Sequence, residues 1–517
     1  MAKSVKSYEE YDYDLLNLYA GIDCLVTTDL AAKVFPQIIR QPSYIQSVDG
    51  KKVMTEVPSL LTETENVKMP AHEFLIDMEL NGFRYDIPGN RRMDALMTEE
   101  IGTLEDKIFS SLGTKVNLDS GQELGKFLYG NMGMDVLART KAGQPSTDGD
   151  AMKALFNKYR HPWLLDLRRR KDINSVHNSF IKTYIDDWVK PDGKVHCSYN
   201  LIGTSSHRIS SDNPNLLNLP RMCYDYNIRS NYIVDPGNVL LCFDYSSCEV
   251  KVLGALSRDP LLLQAIREKK DFHSFTACAI HDLDYDEFVA IIKDESHKKH
   301  KQYKELRQAG KAVTFGILYG SSDYGIAMNL GITPDEATKL IALYFDTYPG
   351  IKAYIEGAHN MAKWNQWVYT PFGQRKMQYG TLPPFKYTAV HNAALRNAQN
   401  VLIQSTASTL GLMAFAKVNE SIKRIGGKSA CTVYDSLEIE VPLKHAAEAI
   451  EIAFQCMDDW PVQEFDFLEL PIGTDCELGF DWGNLSGLDR GATQEMIGDK
   501  LRELNPGKYE EALRLAA

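Results

Sequence analysis

Residues 307–320 read RQAGKAVTFGILYG, and four of their side chains recur at every fourth position. They are two cations followed by two aromatic rings, namely Arg307, Lys311, Phe315 and Tyr319. Because four residues advance roughly 400° around an α-helix, these side chains form one slowly drifting stripe along a single face. The cations suit a triphosphate and the rings suit a nucleobase. A basic, solvated helix end that runs into a core stripe is the alternative interpretation.

The charge around this stripe is opposite to that of the whole chain. Across 517 residues, 57 Lys and Arg stand against 69 Asp and Glu, and this formal net charge of −12 argues by itself against nucleic-acid binding. Residues 298–311 nevertheless carry six basic side chains against one acid, Glu305. Positive charge is therefore concentrated where a polyanion would bind, and charge has to be interpreted locally.

The overall composition is typical of a large globular protein. Hydrophobic residues make up 44% and charged residues 24%, which excludes the disordered, collagen-like and coiled-coil classes. The length predicts roughly three domains. No stretch approaches the roughly 18 consecutive apolar residues of a membrane helix, so no membrane partner is expected. Nine scattered cysteines without a C-x-x-C pair fit a reducing cytoplasm and argue against a zinc site or a disulfide scaffold.

Two aspartates outside the stripe are candidate metal ligands. Asp244 ends the apolar run NVLLCFD, which predicts a buried strand, and Asp435 lies in TVYDSLEIEV, which predicts a hairpin with a carboxylate at its tip. Carboxylates on adjacent strands can hold two divalent ions about 4 Å apart, which suits activation of a hydroxyl and release of pyrophosphate. On these two residues alone, an ordinary strand end and an ordinary Asp-Ser turn are the simpler explanation.

A third segment, TSSHRISSDNPNLLNLPR at 204–221, is rich in hydroxyl, amide and arginine side chains. Such groups suit contacts to phosphate and sugar that position a duplex without reading its sequence. Taken alone, the segment would be an ordinary loop.

In this order and spacing the segments resemble the motifs of the family A DNA polymerases, the group that includes bacterial DNA polymerase I. DYSSCEVKVLGALSRDP (244–260) is similar to the first palm motif, the stripe to the fingers-helix signature, and VYDSLEIEV (433–441) to the last palm motif. Residues 204–220, DFH (271–273) and RNAQNVLIQSTAS (396–408) also fit family patterns. The resemblance runs from about residue 8 to 484. It implies an α+β right-hand polymerase fold, with palm, fingers and thumb, and an N-terminal remnant of a 3′–5′ exonuclease domain.

The resemblance also implies a division of the chain into five segments. They are, in chain order, the exonuclease-domain remnant and linker (1–69), the thumb (70–190), the first part of the palm (191–258), the fingers (259–399) and the second part of the palm (400–517). The helical periodicity of residues 70–167 agrees with the expected thumb. The polar, turn-rich composition of residues 36–70 indicates a connection rather than core.

Each residue that matches a family motif acquires an implied role. Asp244, Asp435 and the backbone carbonyl of Tyr245 would hold two Mg²⁺ ions, with Mn²⁺ as a substitute, and Lys311 would be catalytic as well as nucleotide-binding. The other side chains expected at the dNTP are Arg307, Phe315, Tyr319, His273 and Glu249. The side chains expected to contact primer–template DNA are Arg208, Asn215, Asn218, Tyr324, Arg396, Asn400, Gln404 and Tyr434.

Several positions depart from the family pattern. Tyr434 stands where the last palm motif has histidine, and Ser436 where it has glutamate, so a third carboxylate is missing. Leu217 replaces a minor-groove glutamine, and Ser247 and Cys248 replace the usual glutamine and isoleucine of the first palm motif. None of these departures touches the two metal aspartates or the stripe, so we expect an active but distinctive enzyme.

The expected activity is template-directed DNA synthesis, in the cytoplasm of a bacterial or phage-infected cell. A single-subunit RNA polymerase is one alternative. It is disfavoured by Glu249, which the resemblance places against a ribose 2′-hydroxyl. A catalytically inactive, polymerase-like DNA-binding subunit is another, and the intact aspartates and cations argue against it.

The amino-terminal segment YAGID (19–23) resembles the last motif of the family's exonuclease domain. That nuclease also needs an earlier D-x-E, whereas the D-x-E at 77–79 and the DCE at 475–477 come later and are interpreted as structural. The sequence therefore predicts a polymerase without its own proofreading. A separate 3′–5′ exonuclease subunit that docks on residues 8–35 is one explanation, beside truncation of a longer polymerase and a relic packed against the palm.

Overall fold

The computed structural model describes residues 43–48, 51–140, 142–204, 206–378 and 389–516. The YAGID segment and residues 8–35 lie outside these ranges. The strands are β1 (Ser43–Val48), β2 (Lys51–Glu56), β3 (Phe83–Tyr85), β4 (Lys194–Val195), β5 (Ser198–Asn200), β6 (Ser210–Asp212), β7 (Met222–Cys223), β8 (Tyr226–Asn227), β9 (Tyr232–Ile233), β10 (Asn238–Tyr245), β11 (Trp367–Tyr369), β12 (Arg375–Met377), β13 (Lys428–Val433), β14 (Ser436–Pro442), β15 (Thr474–Gly479) and β16 (Leu485–Leu488).

Helices make up most of the remainder. The α-helices are α1 (Leu60–Glu63), α2 (Met69–Asn81), α3 (Ile87–Leu112), α4 (Gly121–Gly125), α5 (Gly149–Tyr159), α6 (Trp163–Phe180), α7 (Tyr184–Trp188), α8 (Cys248–Ser257), α9 (Pro260–Arg267), α10 (Phe272–His281), α11 (Tyr285–Lys293), α12 (His300–Leu318), α13 (Asp323–Leu330), α14 (Pro334–Thr347), α15 (Pro349–Asn365), α16 (Ala389–Lys423), α17 (Ala446–Phe454), α18 (Trp460–Glu464), α19 (Gln494–Leu504) and α20 (Pro506–Ala516).

One antiparallel sheet of five strands, in the order β13-β14-β10-β15-β16, forms the centre of the molecule. Its middle strand, β10, carries the apolar run that predicted a buried strand. Phe243 and Tyr245 of β10 pack into the main core, whereas Cys242 joins a second core on the opposite face, beside Trp482. Because both faces are covered, the run is continuously apolar rather than alternating. The packing on this face of β10 ends at Asp244, whose side chain is exposed to solvent.

Residues 70–167 are mostly helical, as their periodicity predicted, and further helical segments continue to Trp188. The long helices α3 and α6 pack together, and a separate core of leucine, methionine and tryptophan side chains joins them to α4 and α5. Helix α3 begins at the N-cap Asp86, whose carboxylate accepts a hydrogen bond from the Gly89 amide at 3.0 Å. It ends at Gly113, whose φ of +67° is the left-handed conformation that favours glycine.

The expectation of a plain connection over residues 36–70 is incomplete. Strands β1 and β2 pair as a hairpin that lies against α15, and helix α1 follows it. The signal was present, because SYIQSVDGKKVMTE holds a DG turn between two alternating runs. The polar composition of the segment nevertheless favours a connection, so composition alone is misleading here.

Helix α12 carries Arg307, Lys311 and Phe315 of the stripe, and Tyr319 is the C-cap residue that follows its last turn. The opposite side of the helix, including Val313, Ile317 and Leu318, is buried in the main core. Gly310 fixes how closely α12 approaches α10, because a β-carbon at this position would lie 2.9 Å from the carbonyl oxygen of His273. The absence of a side chain at this one position therefore brings His273 next to the stripe.

Helix α16 is long and apolar enough to cross a membrane, but 72% of its most apolar 18-residue window is buried inside the protein. It is the only helix of the described residues with this length and hydropathy. Its carboxyl-terminal half supplies Leu410, Phe415 and Val418 to the main core beneath β10. The apolar character of α16 is thus explained by a core that covers it on several sides.

Candidate active site

The chain fold brings Asp244 and Asp435 together although 191 positions separate them. Asp244 pairs with Ser436 across β10 and β14, and the amide of Tyr245 donates a hydrogen bond to the carbonyl of Asp435 at 3.1 Å. Asp435 lies in the tight connection between β13 and β14, where Tyr434 takes a left-handed conformation with φ of +59°. The predicted hairpin with a carboxylate at its tip is confirmed.

Both carboxylates have raised pKa values. Burial, followed by the charges of Asp435, Asp475 and Glu477, raises the pKa of Asp244 to about 7, against a smaller opposite effect of Arg229. Burial also raises the pKa of Asp435. The two groups can be reached by solvent, yet protein and like charges surround them. An environment of this kind favours a bound cation, because the cation removes the repulsion between the carboxylates.

A cavity of about 700 Å³ opens in front of Asp244 and Asp435. Its lining also includes Arg221, Arg229 and Tyr434. Among the described residues, no three His, Cys, Asp or Glu side chains converge closely enough to hold a metal ion by themselves. This donor set fits Mg²⁺, which commonly binds one or two carboxylates and takes its other ligands from water and substrate phosphates.

The side chains of the stripe lie on one face of α12, as their spacing predicted. The Lys311 ammonium group lies 5.8 Å from the centre of the Phe315 ring. Phe315 and Tyr319 stack at 5.9 Å with an angle of 13° between their planes, and the centre of the His273 ring lies 5.3 Å from that of Phe315, with the two planes tilted by 48°. A group of three rings therefore adjoins the cations.

His273 is a candidate phosphate contact with an unusual environment. Burial, with added effects of Arg307 and Lys311, lowers its pKa to about 4, against the opposite effect of Asp271. Its Nδ1 atom is buried and has no hydrogen-bond partner among the described residues. A phosphate oxygen placed between these cations would supply the missing acceptor and would favour the protonated ring.

Glu249 connects the two halves of the site. Its carboxylate accepts a hydrogen bond from the Tyr319 hydroxyl at 2.8 Å and forms an ion pair with Arg208. The Arg208 guanidinium in turn lies 5.4 Å from the centre of the Tyr434 ring. Glu249 thus links the end of α12 to the hairpin tip, so the sequence-predicted residues on both sides of the cleft form one connected group.

The candidate DNA contacts form two further groups. Arg396, Asn400 and Gln404 lie four residues apart on α16 and form one solvent-accessible line. A β-carbon at Gly320 would lie 2.6 Å from Cβ of Arg396, so this line begins directly beside the end of α12. Its position suits a polymer that passes between α12 and the sheet.

Asn215 and Asn218 are exposed residues at the two ends of a turn of 3₁₀-helix, where Asn215 is the N-cap. The Asn215 side chain stabilises this turn. Its Oδ1 accepts hydrogen bonds from the backbone N–H of Asn218 at 3.2 Å and from the Ser211 hydroxyl at 3.0 Å. Tyr324 stands apart from the connected group, on α13, with 62% of its surface exposed. The exposed ring of Tyr324 is accessible to a nucleobase, and its stacking role stays a prediction.

This sheet face carries further acids that were not predicted as site residues from the sequence. Asp475, in the DCE segment that was interpreted as structural, lies directly opposite Asp244, and Glu477 lies two residues further along β15. DCE lies in a strand, as expected, and its two acids also raise the pKa of Asp244, so this strand borders the candidate site. Glu438 of β14 is also on this face, opposite Cys242. The regular i, i+2 spacing of Glu438 and Ser436 was the available signal, but only the strand register assigns it to the site.

The buried carboxylate of Glu438 should destabilise the folded protein when it is ionised, so its effect on stability depends on pH. It is 2% exposed, its Oε1 accepts from the Ser436 hydroxyl at 2.9 Å, and its Oε2 has no hydrogen bond of normal geometry within the described residues. Burial raises its pKa from 4.5 to about 7, against weaker effects of Ser436, Arg229 and Trp482. The folded state therefore keeps a proton that the unfolded chain loses, and stability falls as pH rises from about 4.5 to 7.

We expect Glu438→Gln to raise the melting temperature at pH 8 but not at pH 5. The gain is at most on the order of 3 kcal/mol, because each pKa unit corresponds to about 1.4 kcal/mol. Thermal unfolding of parent and variant across this pH range measures it. Glu440→Gln is the matched control, since Glu440 lies on the same face of β14 but pairs with Lys428 at 3.3 Å and should destabilise at pH 8. An equal shift at both pH values for Glu438→Gln would contradict the argument.

The chain is similar to known DNA polymerases in sequence and in fold. The family model described as DNA polymerase family A matches residues 89–484. The chain is 29% identical over 494 residues to the DNA polymerase I of Chloroflexus aurantiacus, covering 94% of this chain and 48% of that protein. It is 31% identical over 427 residues to the thermostable DNA polymerase I of Thermus filiformis, covering 82% and 48%. The chain thus spans about half the length of the curated relatives it matches.

A solved structure shows the same fold. It is the POL domain of Pol1 from M. smegmatis, in a complex with DNA primer-template and dNTP. The TM-score is 0.73 at 27% sequence identity, covering 82% of this chain and 71% of that chain. This likeness confirms the predicted α+β right-hand polymerase fold, and the family match confirms the resemblance of the motifs. The chain therefore belongs to DNA polymerase family A.

Proposed function

We propose that the protein catalyses template-directed DNA synthesis, in which a primer 3′-hydroxyl attacks the α-phosphate of a dNTP. The observation that carries this proposal is the pairing of two aspartates at the tip of a sheet with a row of cations and rings on the helix opposite. The relatives named DNA polymerase I, and the solved neighbour bound to primer-template and dNTP, support it.

In this proposal Asp244 and Asp435, with the backbone carbonyl of Tyr245, hold two Mg²⁺ ions, for which Mn²⁺ can substitute. When bound, the metal ions would activate the attacking hydroxyl and neutralise charge on the leaving pyrophosphate. The two carboxylates keep these charges at one edge of the cleft, because the hairpin of β13 and β14 holds Asp435 against β10.

The residues of α12 and α10 would bind the nucleotide. Arg307, Lys311 and His273 hold the triphosphate, which places the reacting phosphorus near the aspartates. Phe315 lies beneath the sugar and base, and Tyr319 closes the pocket. Lys311 contributes to catalysis as well, because its charge offsets negative charge that grows on the leaving phosphates.

The remaining assignments are also part of the proposal. Residues 70–190 would be the thumb, 191–258 and 400–517 the palm, 259–399 the fingers, and 1–69 the exonuclease remnant and linker. Primer–template DNA would contact the side chains Arg208, Asn215, Asn218, Tyr324, Arg396, Asn400, Gln404 and Tyr434. The bacterial origin of the relatives supports a cytoplasmic location in a bacterial or phage-infected cell. A separate exonuclease subunit stays a prediction from the sequence.

Primer extension with dNTPs and with rNTPs, in the presence of Mg²⁺, tests the proposed function. We expect extension with dNTPs that follows the template and is much weaker with rNTPs. Preferential use of rNTPs would favour the single-subunit RNA polymerase alternative. Extension with neither, by a protein that binds primer–template, would favour the inactive DNA-binding subunit.

Glu249→Ala should admit ribonucleotides, because it removes the carboxylate proposed to lie against a 2′-hydroxyl. We expect discrimination between dNTP and rNTP to fall about 10- to 100-fold, the range for a lost steric and polar contact of 1–3 kcal/mol. The ratio of kcat/KM values for the two nucleotides measures it. Glu249→Gln keeps the size and the acceptor for Tyr319, so it should retain most of the discrimination. Unchanged discrimination in the alanine variant would assign the selection to another residue.

A further inference from the structure

The carboxylate of Asp271 forms a two-pronged ion pair with Arg307, the first cation of the stripe. The guanidinium Nε donates to Oδ2 at 2.8 Å, and Nη2 donates to Oδ1 at 3.0 Å. Paired hydrogen bonds of this kind fix the plane of the guanidinium as well as its position. Asp271 was not among the candidate site residues, although it belongs to the DFH segment (271–273) that supplied His273.

This ion pair leaves three of the five N–H donors of Arg307 available to a ligand. An arginine has five N–H donors, of which Asp271 takes two on the Nε and Nη2 edge. The three remaining donors lie on Nη1 and the outer side of Nη2, where they can still bind a phosphate. Arg307 can therefore contact Asp271 and a triphosphate at the same time, and Asp271 need not be displaced.

Asp271 is itself held rigidly. It is the N-cap of α10, where Oδ2 accepts hydrogen bonds from the Ser274 amide at 2.9 Å and the Ser274 hydroxyl at 2.6 Å. Its own amide donates to the Tyr285 hydroxyl at 2.8 Å. These contacts and Arg307 together outweigh the effect of burial and lower the pKa of Asp271, so the carboxylate is ionised at neutral pH.

The ion pair also joins the two helices that carry the phosphate-binding candidates. Asp271 precedes His273 by two residues in the first turn of α10, and Arg307 is four residues before Lys311 on α12. The close approach at Gly310 brings the backbones together, and the ion pair fixes the side chain. Without it, a long arginine that is about one-third exposed would sample several rotamers.

We propose that Asp271 is a positioning residue of the nucleotide site, which holds the Arg307 guanidinium beside His273 in the orientation that binds the triphosphate of a dNTP. The inference rests on the proposed function. Its energetic basis is that a side chain ordered before binding loses less conformational entropy when the nucleotide binds.

The test is Asp271→Asn, which removes the charge but keeps the helix cap, because asparagine caps helices about as well as aspartate. We expect the KM for dNTP to rise about tenfold, because the contact between Arg307 and the triphosphate would lose about the free energy of one weakened charge-assisted hydrogen bond. The change in kcat should be much smaller. Binding of a dNTP to a complex with a dideoxy-terminated primer gives a second readout that needs no turnover, and it should weaken by a similar factor.

Two controls separate positioning from a general structural role. Asp284→Asn changes the N-cap of the neighbouring helix α11, where Asp284 accepts from the Glu287 amide at 2.8 Å, and should leave the KM for dNTP unchanged. In an Arg307→Ala background, Asp271→Asn should have no further effect, because the group that it positions is gone. An equal penalty with and without Arg307 would overturn the proposal.

An unchanged or lowered KM in Asp271→Asn would also overturn it, and a lowered KM would mean that Asp271 competes with the triphosphate. Failure of the proposed function has a different signature, namely no primer extension by the parent protein. Calorimetric binding of tripolyphosphate would still test Asp271 in that case. Weaker binding by Asp271→Asn would support the positioning of Arg307 for a polyphosphate, and equal binding would exclude it.

Discussion

Asp244→Asn and Asp435→Asn should each reduce primer extension by about a thousandfold or more, equivalent to roughly 4 kcal/mol of lost transition-state stabilisation. Either change removes a charged ligand from the proposed metal pair and leaves its size nearly unchanged. Affinity for primer–template should stay within several-fold of the parent, because contacts to phosphate elsewhere dominate it, and it should fall as salt rises. Single-turnover extension and a binding titration at two salt concentrations measure the two effects.

Asp475→Asn is the matched control for the aspartate pair. Asp475 lies opposite Asp244 on the other neighbouring strand and acts on its pKa, but it has no proposed metal contact. If the site needed only negative charge on this sheet face, Asp475→Asn would be as harmful as the other two changes. We expect it to retain most of the activity. Near-normal extension by Asp244→Asn or Asp435→Asn would remove the metal assignment.

Lys311→Ala should raise the KM for dNTP and lower kcat together, with a loss of about 100-fold in kcat/KM, or about 3 kcal/mol. The reason is that the ammonium group would interact with both the bound triphosphate and the charge that develops on its leaving part. Steady-state extension kinetics over a range of dNTP concentrations separates the two parameters.

Lys301→Ala is the control for this experiment, because Lys301 is an exposed lysine of the same helix, outside the proposed site. It should behave like the parent protein, which would show that the general positive charge of α12 has little effect on turnover. Unchanged nucleotide kinetics in Lys311→Ala would instead favour the view of residues 307–319 as a solvated helix end and a core stripe.

The stripe was predictable from the sequence because its information is local. A four-residue spacing places side chains on one helix face wherever the helix is found, and the rings of Phe315 and Tyr319 lie close enough to stack. The strand that carries Asp244, which ends one residue later than predicted, and the hairpin around Asp435 were predictable for the same reason. Their meeting was not, because no local pattern specifies which strands are neighbours across 191 positions. The family resemblance supplied that information.

The side chains that the sequence analysis missed depend on contacts between distant segments. Glu438 and Asp475 are acids on strands, and only the strand register shows that they share a face with Asp244. Asp271 was named in the sequence only as part of the DFH segment, and the packing of α10 on α12 is what brings it to Arg307. In each case the residue type was visible, whereas the partner was set by tertiary structure.

Gly310 sets a limit on how this protein can be redesigned. A β-carbon at that position would meet the His273 carbonyl at 2.9 Å, a main-chain atom that cannot rotate away. Libraries that aim to change nucleotide preference can vary the side chains that line the cleft, but they have to leave this glycine fixed. The spacing between two helices, and with it the distance between a histidine and an arginine, is encoded by a residue that has no side chain.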